Sequence, residues 1–528
     1  MPIIVMNIKT PLDVGEAEIV SASLREIGIG KRHVLSASIY KTSLDARRRE
    51  RAREGIRLVS SVFLSLDSEK LERELSKKQN VKYFEELELA PTISDKKSDG
   101  RVVIAGFGPA GMFAALILSE YGYKPIVLER GGSVDERVEK ISQYWSGGEL
   151  DESTNVQFGE GGAGTFSDGK LTTRINDPLC RYVLEKFVAF GAPESILRIA
   201  KPHLGTDNLR DIVRNIRERI IENGGEVRLH SELAGITFDG ERITKVSTPS
   251  GEIEASALIL AIGHSARDTF EMLLQNGIKL EPKPFSVGAR IEHTQDSVDR
   301  SLYGDYAGNP LLPKGEYQLS HRRPDGRACY TFCMCPGGMV VASASEKGTI
   351  VTNGMSMYSR DGENANAAIV VSVNPSDFGH DALDGIAFAS DIEKKAYLLS
   401  GDSRAPAMTV GDFLGTPTNR SVTPSYKPGV VDRDLNQLFP PFVSDMMKEG
   451  LTKFATEMAC FGDMGAVLTA PETRTSSPIR IPRDENMRAV GTENLIPCGE
   501  GPGYAGGIMS AAVDGIRAAL EVMKSFAP

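Results

Sequence analysis

Three glycines, spaced as in a dinucleotide-binding loop, are the residues of this sequence with the clearest chemistry. Gly106, Gly108 and Gly111 follow a β-branched run from Arg101, and residues 112–120 have the pattern of a helix. In such a strand–turn–helix unit, the glycines allow a tight turn, close approach of a pyrophosphate and close helix–strand packing. The helix N-terminus then holds the phosphates with free N–H groups and its positive dipole end. The spacing therefore predicts a dinucleotide site.

Two further stretches extend this site to both ends of a longer cofactor. The apolar run from Lys124 ends in Glu129, a carboxylate about 20 residues on, where a ribose hydroxyl needs an acceptor. Near the C-terminus a second glycine-rich turn follows Gly499 and Glu500 and precedes a helix from Ile508. That carboxylate can hold a ribityl hydroxyl, and the helix N-terminus can neutralise a reduced flavin. NAD alone would not need the second turn, so FAD is the predicted cofactor.

Three motifs together resemble the glutathione-reductase-like FAD/NAD(P)-binding fold: Gly106-x-Gly108-x-x-Gly111 with Glu129, Ala261-Ile-Gly263, and Cys498-Gly-Glu500. The stretches Gly161–Leu171 and Gly263–Thr269 resemble one subgroup, the bacterial uncharacterised FAD-dependent dehydrogenase family, with a single dinucleotide-binding domain. The resemblance covers roughly residues 100–528 and, less distinctively, the N-terminal region. It specifies FAD firmly and says little about the reaction.

The resemblance also implies a role for individual residues. The pyrophosphate would be cradled by Gly106, Gly108, Pro109, Ala110 and Gly111. The adenosine end would meet Glu129 at the ribose, Arg130 beside the adenine, and the backbone of Leu233. The rest of the cofactor site would comprise Gly162, Gly164, Thr165, Ser167, Ala261, Gly263, Gly499, Glu500, Gly506, Gly507 and Ile508. Glu500 departs from the fold's usual Asp, so its longer arm would reach the ribityl chain directly or through water.

The elements that must position these residues predict an α/β fold in several parts. A chain of 528 residues exceeds what one core accommodates. Residues 1–97 have the pattern of a small α+β domain, joined to the nucleotide fold by the polar linker 92–100. We expect a Rossmann-type FAD-binding domain in residues 98–280 and 471–528. Residues 281–470, with short strands and Pro/Gly turns, form the expected inserted β-rich substrate domain.

The composition of the chain limits the classes of binding partner and the cellular compartment that we expect for it. The net charge of −10 argues against nucleic acid as the main partner. The expected partner is a small-molecule substrate of unknown identity. Six cysteines in so long a chain do not make a secreted disulfide framework. The N-terminal apolar run is too short for a signal peptide, and the run near 257–262 is too short for a membrane span. The sequence thus predicts a cytoplasmic protein without membrane partners, and it does not indicate an oligomeric state.

Candidate catalytic groups are fewer, and each has a structural alternative. His264 follows Gly263 and is either a proton donor near the cofactor or a structural polar group, which caps a helix or supports the residues that contact the cofactor. Arg474 either clamps an anionic substrate or forms a structural salt bridge. Cys329, Cys333 and Cys335 would face one side of a regular strand, with neighbouring sulfurs poorly placed for a disulfide. The alternatives for these cysteines are buried thiols, a redox or substrate-contacting thiol, and a metal site that needs a fourth ligand such as His321.

The predicted function is an FAD-dependent oxidoreductase that transfers hydride between an organic substrate and the flavin. With a single nucleotide fold, any NAD(P)H must dock transiently. The alternatives are a flavin-dependent monooxygenase, an RNA-modifying or RNA-contacting flavoprotein that uses the arginines of 47–53, and a non-enzymatic redox sensor or scaffold. Because no aromatic residues interleave those arginines, a solvated charged face is the preferred interpretation of that run.

Overall fold

A small antiparallel sheet with flanking helices forms the N-terminal part of the chain. The computed structural model describes residues 2–528. The elements here are β1 (Ile3–Thr10), α1 (Glu16–Ile27), β2 (Val34–Asp45), α2 (Arg48–Glu54), β3 (Arg57–Leu66), α3 (Glu69–Leu75) and β4 (Val81–Tyr83). The strand order is β2-β3-β1-β4. Alternate β3 residues, including Val62 and Leu64, pack with Leu24 of α1 into one core, as the period-two pattern requires.

The next part is a parallel sheet covered by helices. Its elements are β5 (Arg101–Ala105), α4 (Pro109–Glu120), β6 (Ile126–Leu128), α5 (Val134–Trp145), α6 (Leu179–Ala189), α7 (Gly205–Glu222), β7 (Glu226–Arg228), β8 (Gly235–Asp239), β9 (Arg242–Thr248), β10 (Gly251–Leu260) and α8 (Arg267–Gln275). The parallel strands run in the order β7-β6-β5-β10. Helix α4 begins at Pro109, earlier than the pattern of residues 112–120 indicated, because proline suits the first helical position.

Strand β10 is one continuous strand with two different partners. It runs unbroken from Gly251 to Leu260. Its first half pairs with β9, and its second half pairs with β5 after a register shift between Ala255 and Ala257. The exposed half of the strand therefore continues directly into the buried half.

The inserted part follows and is built on a second sheet. Its elements are β11 (Glu281–Pro282), β12 (Phe285–Thr294), α9 (Gln295–Tyr303), β13 (Ser320–Arg322), β14 (Ala328–Cys335), β15 (Met339–Ala342), β16 (Thr352–Met355), β17 (Asn364–Val373), α10 (Pro375–Phe378), α11 (Asp384–Ser400), β18 (Ala405–Thr409), α12 (Val410–Phe413), β19 (Val430–Asp432), α13 (Pro441–Glu457), β20 (Val467–Glu472) and β21 (Ile479–Arg480). The sheet order is β13-β14-β17-β12-β20-β18-β19. The long helices α11 and α13 were not expected from the sequence, and both contribute to the core of this part.

The chain then returns to the parallel sheet through β22 (Leu495–Pro497) and α14 (Ile508–Ser525). Strand β22 pairs in parallel with β10. Helix α14 crosses α4 closely, since a Cβ at Gly515 would lie 2.0 Å from the Ala110 carbonyl oxygen. The chain enters the insertion through β11 and leaves it through β21, which pair with each other. This confirms the expected fold class, an α/β Rossmann-type domain with an inserted β-rich domain and a small N-terminal α+β domain.

Short 3₁₀ helices complete the described structure, at Lys31–His33, Ala163–Phe166, Glu194–Leu197, Gly304–Tyr306 and Ala459–Gly462. Within residues 2–528, every helix is too short or too polar to span a membrane. The arginine run 47–53 lies in and before α2, where Arg47 pairs with Asp45 at 2.6 Å and Arg51 donates to the Leu302 carbonyl of the inserted part. Part of this run is therefore used in contacts within the chain. The domain boundaries given above stay predictions.

Candidate functional site

A long cleft lies between the parallel sheet and the inserted part, with a volume of about 1540 Å³ that includes its open mouth. Its wall collects residues that are far apart in the chain. Of the predicted cofactor residues, the wall includes Gly106, Gly108, Pro109, Ala110, Glu129, Arg130, Gly162, Gly164, Ser167, Leu233, Ala261, Gly263, Glu500, Gly506, Gly507 and Ile508. Gly111, Thr165 and Gly499 are buried and do not line the cleft.

The glycine loop after β5 shows why each glycine stands where it does. Gly106 has a φ of 97°, and a Cβ there would lie 2.3 Å from the Ala261 carbonyl oxygen. Gly111 packs α4 on β5, since its Cβ would lie 2.0 Å from the Gly106 carbonyl oxygen. Gly108 is different, because its backbone is extended and a Cβ would meet Gly162 Cα at a relaxed 3.8 Å. Gly108 therefore leaves space for a ligand at the start of α4.

Glu129, just after β6, accepts hydrogen bonds from three separate backbone N–H groups. Its carboxylate is 5% exposed and accepts the N–H groups of Phe107 at 2.9 Å, Gly131 at 3.0 Å and Gly159 at 2.9 Å. A carboxylate has about four acceptor sites, so one remains for a ribose hydroxyl. Contact of Glu129 with the ribose stays a prediction.

Arg130 and Leu233 line the cleft together with Glu129. The Arg130 guanidinium stacks on Phe158 at 4.6 Å and pairs with Asp268 at 2.9 Å. It also lies 3.6 Å from the carboxylate of Glu232, the residue before Leu233, whose backbone was expected to meet the adenine. The placement of both residues is compatible with that expectation.

Arg137 organises the second glycine loop and was missed in the sequence. It is fully buried, and its guanidinium donates to the carbonyl groups of Asn155, Val156, Gly159, Glu160 and Gly162 at 2.6–3.4 Å. Burial lowers the pKa of Arg137 to about 10, while Glu129 and Glu160 oppose that shift, so the group stays charged at neutral pH. A single arginine in an amphipathic helix looks like a surface residue, and only the fold brings the loop to it.

The two glycine loops meet at the middle of the cleft. A Cβ at Gly162, whose φ is 65°, would lie 2.9 Å from Gly108 Cα. Gly164 lies against Ile508, the first residue of α14, where an added Cβ would be 3.0 Å from Ile508 Cγ1. The Ser167 hydroxyl donates to the Gly164 carbonyl at 2.7 Å, and the Thr165 carbonyl accepts from Thr206 at 2.6 Å. These contacts fix the loop shape with backbone groups facing the cleft.

The C-terminal turn is anchored by a carboxylate that the sequence analysis did not single out. Asp514, inside α14, accepts the Gly499 N–H at 2.8 Å and forms a two-point pair with Arg483 at 2.8 and 2.9 Å. Gly506 and Gly507 then lead into α14, whose N-terminus opens on the cleft as that of α4 does. Two helix N-termini directed at one cleft form an anion-binding arrangement at both its middle and its far end.

His264 and Glu500 lie together in the cleft wall. The His264 Nδ1 is 3.5 Å from a Glu500 carboxylate oxygen, and the His264 side chain is 11% exposed. His264 Nε2 has no hydrogen-bond partner within residues 2–528. Helix α8 begins after Ala266, so the capping alternative for His264 does not describe its position.

Arg474 takes part in a buried network of ion pairs. Its guanidinium pairs with Glu393 at 3.2 Å and with Glu346 at 3.5 Å, and Arg267 of α8 pairs with both carboxylates at 2.9 Å. Burial opposes ionisation of Glu393, but the charges of Arg474 and Arg267 prevail and lower its pKa to about 2. The structure thus shows the salt-bridge alternative for Arg474, although part of its side chain still borders the cleft.

The expectation that three cysteines face one side of a strand is wrong. A bulge in β14 interrupts the pairing with β17 between Phe332 and Cys335. Cys329 is consequently buried in the core near α13, whereas Cys333 lines the cleft and Cys335 lies just behind it. Among residues 2–528, no group of three or more His, Cys, Asp or Glu side chains is arranged to hold a metal ion.

Comparisons with known proteins agree with this geometry. Residues 284–475 match a family described as FAD-dependent protein, C-terminal domain-like. An uncharacterised protein of Clostridium beijerinckii is 41% identical over 534 aligned positions, covering 100% of this chain and 99% of that protein. The chain belongs to the same family as that protein. The description of the matched family and the space that the glycine loops leave at the cleft identify FAD as the cofactor.

Solved structures resemble this family member only distantly. Glycine oxidase from Bacillus cereus has a TM-score of 0.33 at 10% identity, covering 81% of this chain and 98% of that one. L-proline dehydrogenase from P. horikoshii has a TM-score of 0.34 at 11% identity, covering 81% and 95%. Glycerol-3-phosphate dehydrogenase from Bacillus halodurans, complexed with FAD, has a TM-score of 0.34 at 11% identity, covering 82% and 66%. Resemblances at this level do not indicate a substrate.

Proposed function

We propose that this family member transfers hydride between a small organic substrate and FAD held in the cleft. The observation that carries the proposal is the convergence of α4 and α14 on one cleft whose central wall is glycine backbone. The other end of the cleft is lined by side chains that can bind or move protons, among them Lys170, His264, Cys333 and Glu472. A cofactor end and a chemically active end therefore share one cleft.

Different residues along the cleft would bind the cofactor and exchange a proton with the ligand. The N–H groups of Gly108 and Ala110, at the start of α4, would hold the pyrophosphate, and the N-terminus of α14 would stabilise negative charge on a reduced flavin. The cofactor supplies hydride chemistry, while the protein positions the substrate and tunes the charge around the ring. His264, which lines the cleft beside Glu500, is the proposed group for proton exchange with a ligand, because its buried Nε2 has no hydrogen-bond partner among the described residues. The proposed electron donor is NAD(P)H that docks transiently, because the nucleotide fold described here holds FAD.

The first prediction tests the cofactor site without disturbing the fold. Gly108 and Gly15 are both N-cap residues with extended backbones, at φ −76° and −81°, before helices of 12 residues. Gly108→Val fills the phosphate cradle, and we expect a folded protein that has lost its yellow flavin. Gly15→Val is the matched control, because a Cβ at Gly15 would have no described atom within 4 Å apart from its chain neighbours. Flavin absorbance per mole of protein and far-UV circular dichroism are the measurements.

The outcome that counts against the proposal is a Gly108→Val protein with a full complement of flavin. Loss of flavin together with loss of helical signal would instead show a folding defect, and Gly108→Ala then repeats the test with a smaller side chain. A Cβ alone is accommodated at 3.8 Å from its nearest neighbour, so this second variant retains the fold. We expect it to bind FAD more weakly than the wild-type protein, because the methyl group occupies the path of the pyrophosphate.

A further inference from the structure

The bulge near the end of β14 holds a cysteine in a conformation that most side chains avoid. Pairing with β17 proceeds regularly to Phe332 opposite Ala368 and resumes with Cys335 opposite Asn366, so β14 contains one extra residue. Within the bulge, Cys333 has a φ of 43°, in the left-handed region. Such a conformation is unfavourable for a residue other than glycine and persists only where the surroundings enforce it.

Two cationic side chains enforce it. Arg290, fully buried on β12, donates to the Cys333 carbonyl at 2.8 Å and pairs with Glu472 at 2.9 Å. The ammonium group of Lys170 donates to the next carbonyl, that of Met334. The bulge is therefore fixed from both sides by positive charge.

The consequence is a pair of thiols in unequal environments. Cys333 is partly exposed and borders the cleft, whereas Cys335 is buried and donates its S–H to the Cys333 carbonyl at 3.3 Å. A hydrogen bond from Cys335 and the charges of Arg290 and Lys170 lower the pKa of the Cys333 thiol, against the effect of burial. The pKa of Cys335 is raised by its contact with Cys333 and by burial. Thiol–disulfide exchange within a protein uses an accessible thiolate as the attacking group and a second thiol beside it.

We propose that Cys333 and Cys335 are a redox pair of this cleft and that the substrate is a small disulfide. This inference rests on the proposed function, because reduced FAD supplies the electrons. The Cys333 thiolate attacks the disulfide RSSR, forming a mixed disulfide and releasing RS⁻. Cys335 then attacks the Cys333 sulfur, releasing RSH and leaving a Cys333–Cys335 disulfide. Reduced flavin returns two electrons and one proton, which restores one thiolate and one thiol and leaves oxidised FAD.

The bulge in β14 removes the geometric obstacle that a regular strand would place on a disulfide between Cys333 and Cys335. In an unbroken strand, residues two apart have parallel Cβ vectors about 6.5–7 Å apart. Here the left-handed residue at 333 breaks the strand, and the Cys335 sulfur already lies within hydrogen-bonding distance of its neighbour's backbone. The bulge thus both exposes Cys333 and brings the Cys335 side chain toward it.

The first experiment measures the reactivity of Cys333 in the intact holoprotein. Iodoacetamide is added over a range of pH, and peptide mass spectrometry follows each cysteine separately. Cys180, half-buried on α6, is the internal reference, and burial raises the pKa of its thiol. At mildly acidic pH we expect Cys333 to be alkylated at least about tenfold faster than Cys180, because the thiolate is the nucleophile. Equal or slower alkylation of Cys333 would overturn the inference.

The second experiment follows electrons from the flavin. Photoreduced holoprotein is mixed anaerobically with bis(2-hydroxyethyl) disulfide, and the return of oxidised-flavin absorbance is recorded. We expect reoxidation by the wild-type protein and by Cys180→Ser, and loss of it in Cys333→Ser and Cys335→Ser. Cys335→Ser should also accumulate a mixed disulfide on Cys333, visible by mass. Reoxidation that is unchanged in Cys333→Ser would refute the thiol pair.

The two proposals fail in different ways. A protein that binds no flavin contradicts the proposed function, whereas the alkylation assay still reports on Cys333. A protein that binds and reduces flavin but whose reduced flavin ignores the disulfide contradicts only the redox pair. The flavin content of all four proteins is measured first. This control shows whether a serine variant that does not reoxidise its flavin has simply lost the cofactor.

Discussion

His293, on β12, is a histidine enclosed by apolar and aromatic side chains of the inserted part. Its ring lies 4.9 Å from that of Phe461 and 6.3 Å from that of Tyr317, and it is fully buried. Within residues 2–528 neither ring nitrogen has a hydrogen-bond partner. Burial lowers the pKa of His293 to about 4, with a small opposing effect of Asp463. The folded protein therefore holds this histidine neutral and resists its protonation.

The pH dependence of stability follows from this shift. The unfolded chain binds a proton at His293 below about pH 6.5, whereas the folded chain does so only near pH 4. Stability must therefore fall as pH decreases through this window, by on the order of 3 kcal/mol, and show no further loss from this residue below it. We expect His293→Leu to remove this part of the dependence. Urea midpoints of both proteins at about pH 7 and about pH 4.5 measure it, and an equal acid-induced loss in both would contradict the assignment.

The contact between β5 and α4 is the element on which the cofactor site depends. A methyl group at Gly111 would collide with the Gly106 carbonyl, so Gly111→Ala must push α4 away from the sheet. Overpacking of this kind costs about 1–3 kcal/mol. We expect a lower melting temperature together with reduced flavin content, because the displaced helix carries the phosphate-binding N–H groups with it.

Gly462→Ala is the control, because it replaces a glycine with alanine at a position where no close packing depends on the glycine. A Cβ at Gly462 would lie clear of the other described residues by more than 4 Å. We expect flavin content and melting temperature close to those of the wild-type protein. If Gly111→Ala behaved like this control, the close packing of α4 on β5 would not be what positions the loop.

Elements whose signals are local could be predicted from the sequence, and those that depend on distant partners could not. The loop 106–111 and the start of α14 depend on glycine spacing beside apolar runs, so a short window suffices for them. The bulge at Cys333 is fixed by Arg290, which lies 43 residues away in the chain, and no local pattern indicates it. Arg137 and Asp514 have charged side chains typical of helix surfaces, yet the fold buries both beneath glycine loops. Predicting them requires knowing which loops meet.

At the scale of the whole molecule, a network of four charges joins the nucleotide-binding part to the insertion. Arg267 belongs to α8 beside the parallel sheet, Glu393 to α11 of the insertion, and Arg474 to the segment that leads back. Glu346 completes the network from the loop after β15. Glu393 is fully buried, and the Thr473 hydroxyl also donates to it at 2.7 Å. The carboxylate of Glu393 is thus shared by arginines of the nucleotide-binding part and of the segment that leads back to it.

Removing that negative charge should loosen the whole molecule. In Glu393→Gln both arginines keep only the partly exposed Glu346, and a buried charge without its partner costs about 3–5 kcal/mol. We expect that loss in urea unfolding at neutral pH, with flavin released at lower urea than in the wild-type protein. Asp296→Asn, which breaks an exposed pair with Arg300, is the control and should leave the urea midpoint close to that of the wild-type protein. Because the pKa of Glu393 is lowered, its contribution exists above the pKa of the unfolded carboxyl, near pH 4.3, and disappears as pH falls toward 2. The difference between the wild-type protein and Glu393→Gln must therefore shrink in acid, and a difference that stays constant would show that charge is not what Glu393 contributes.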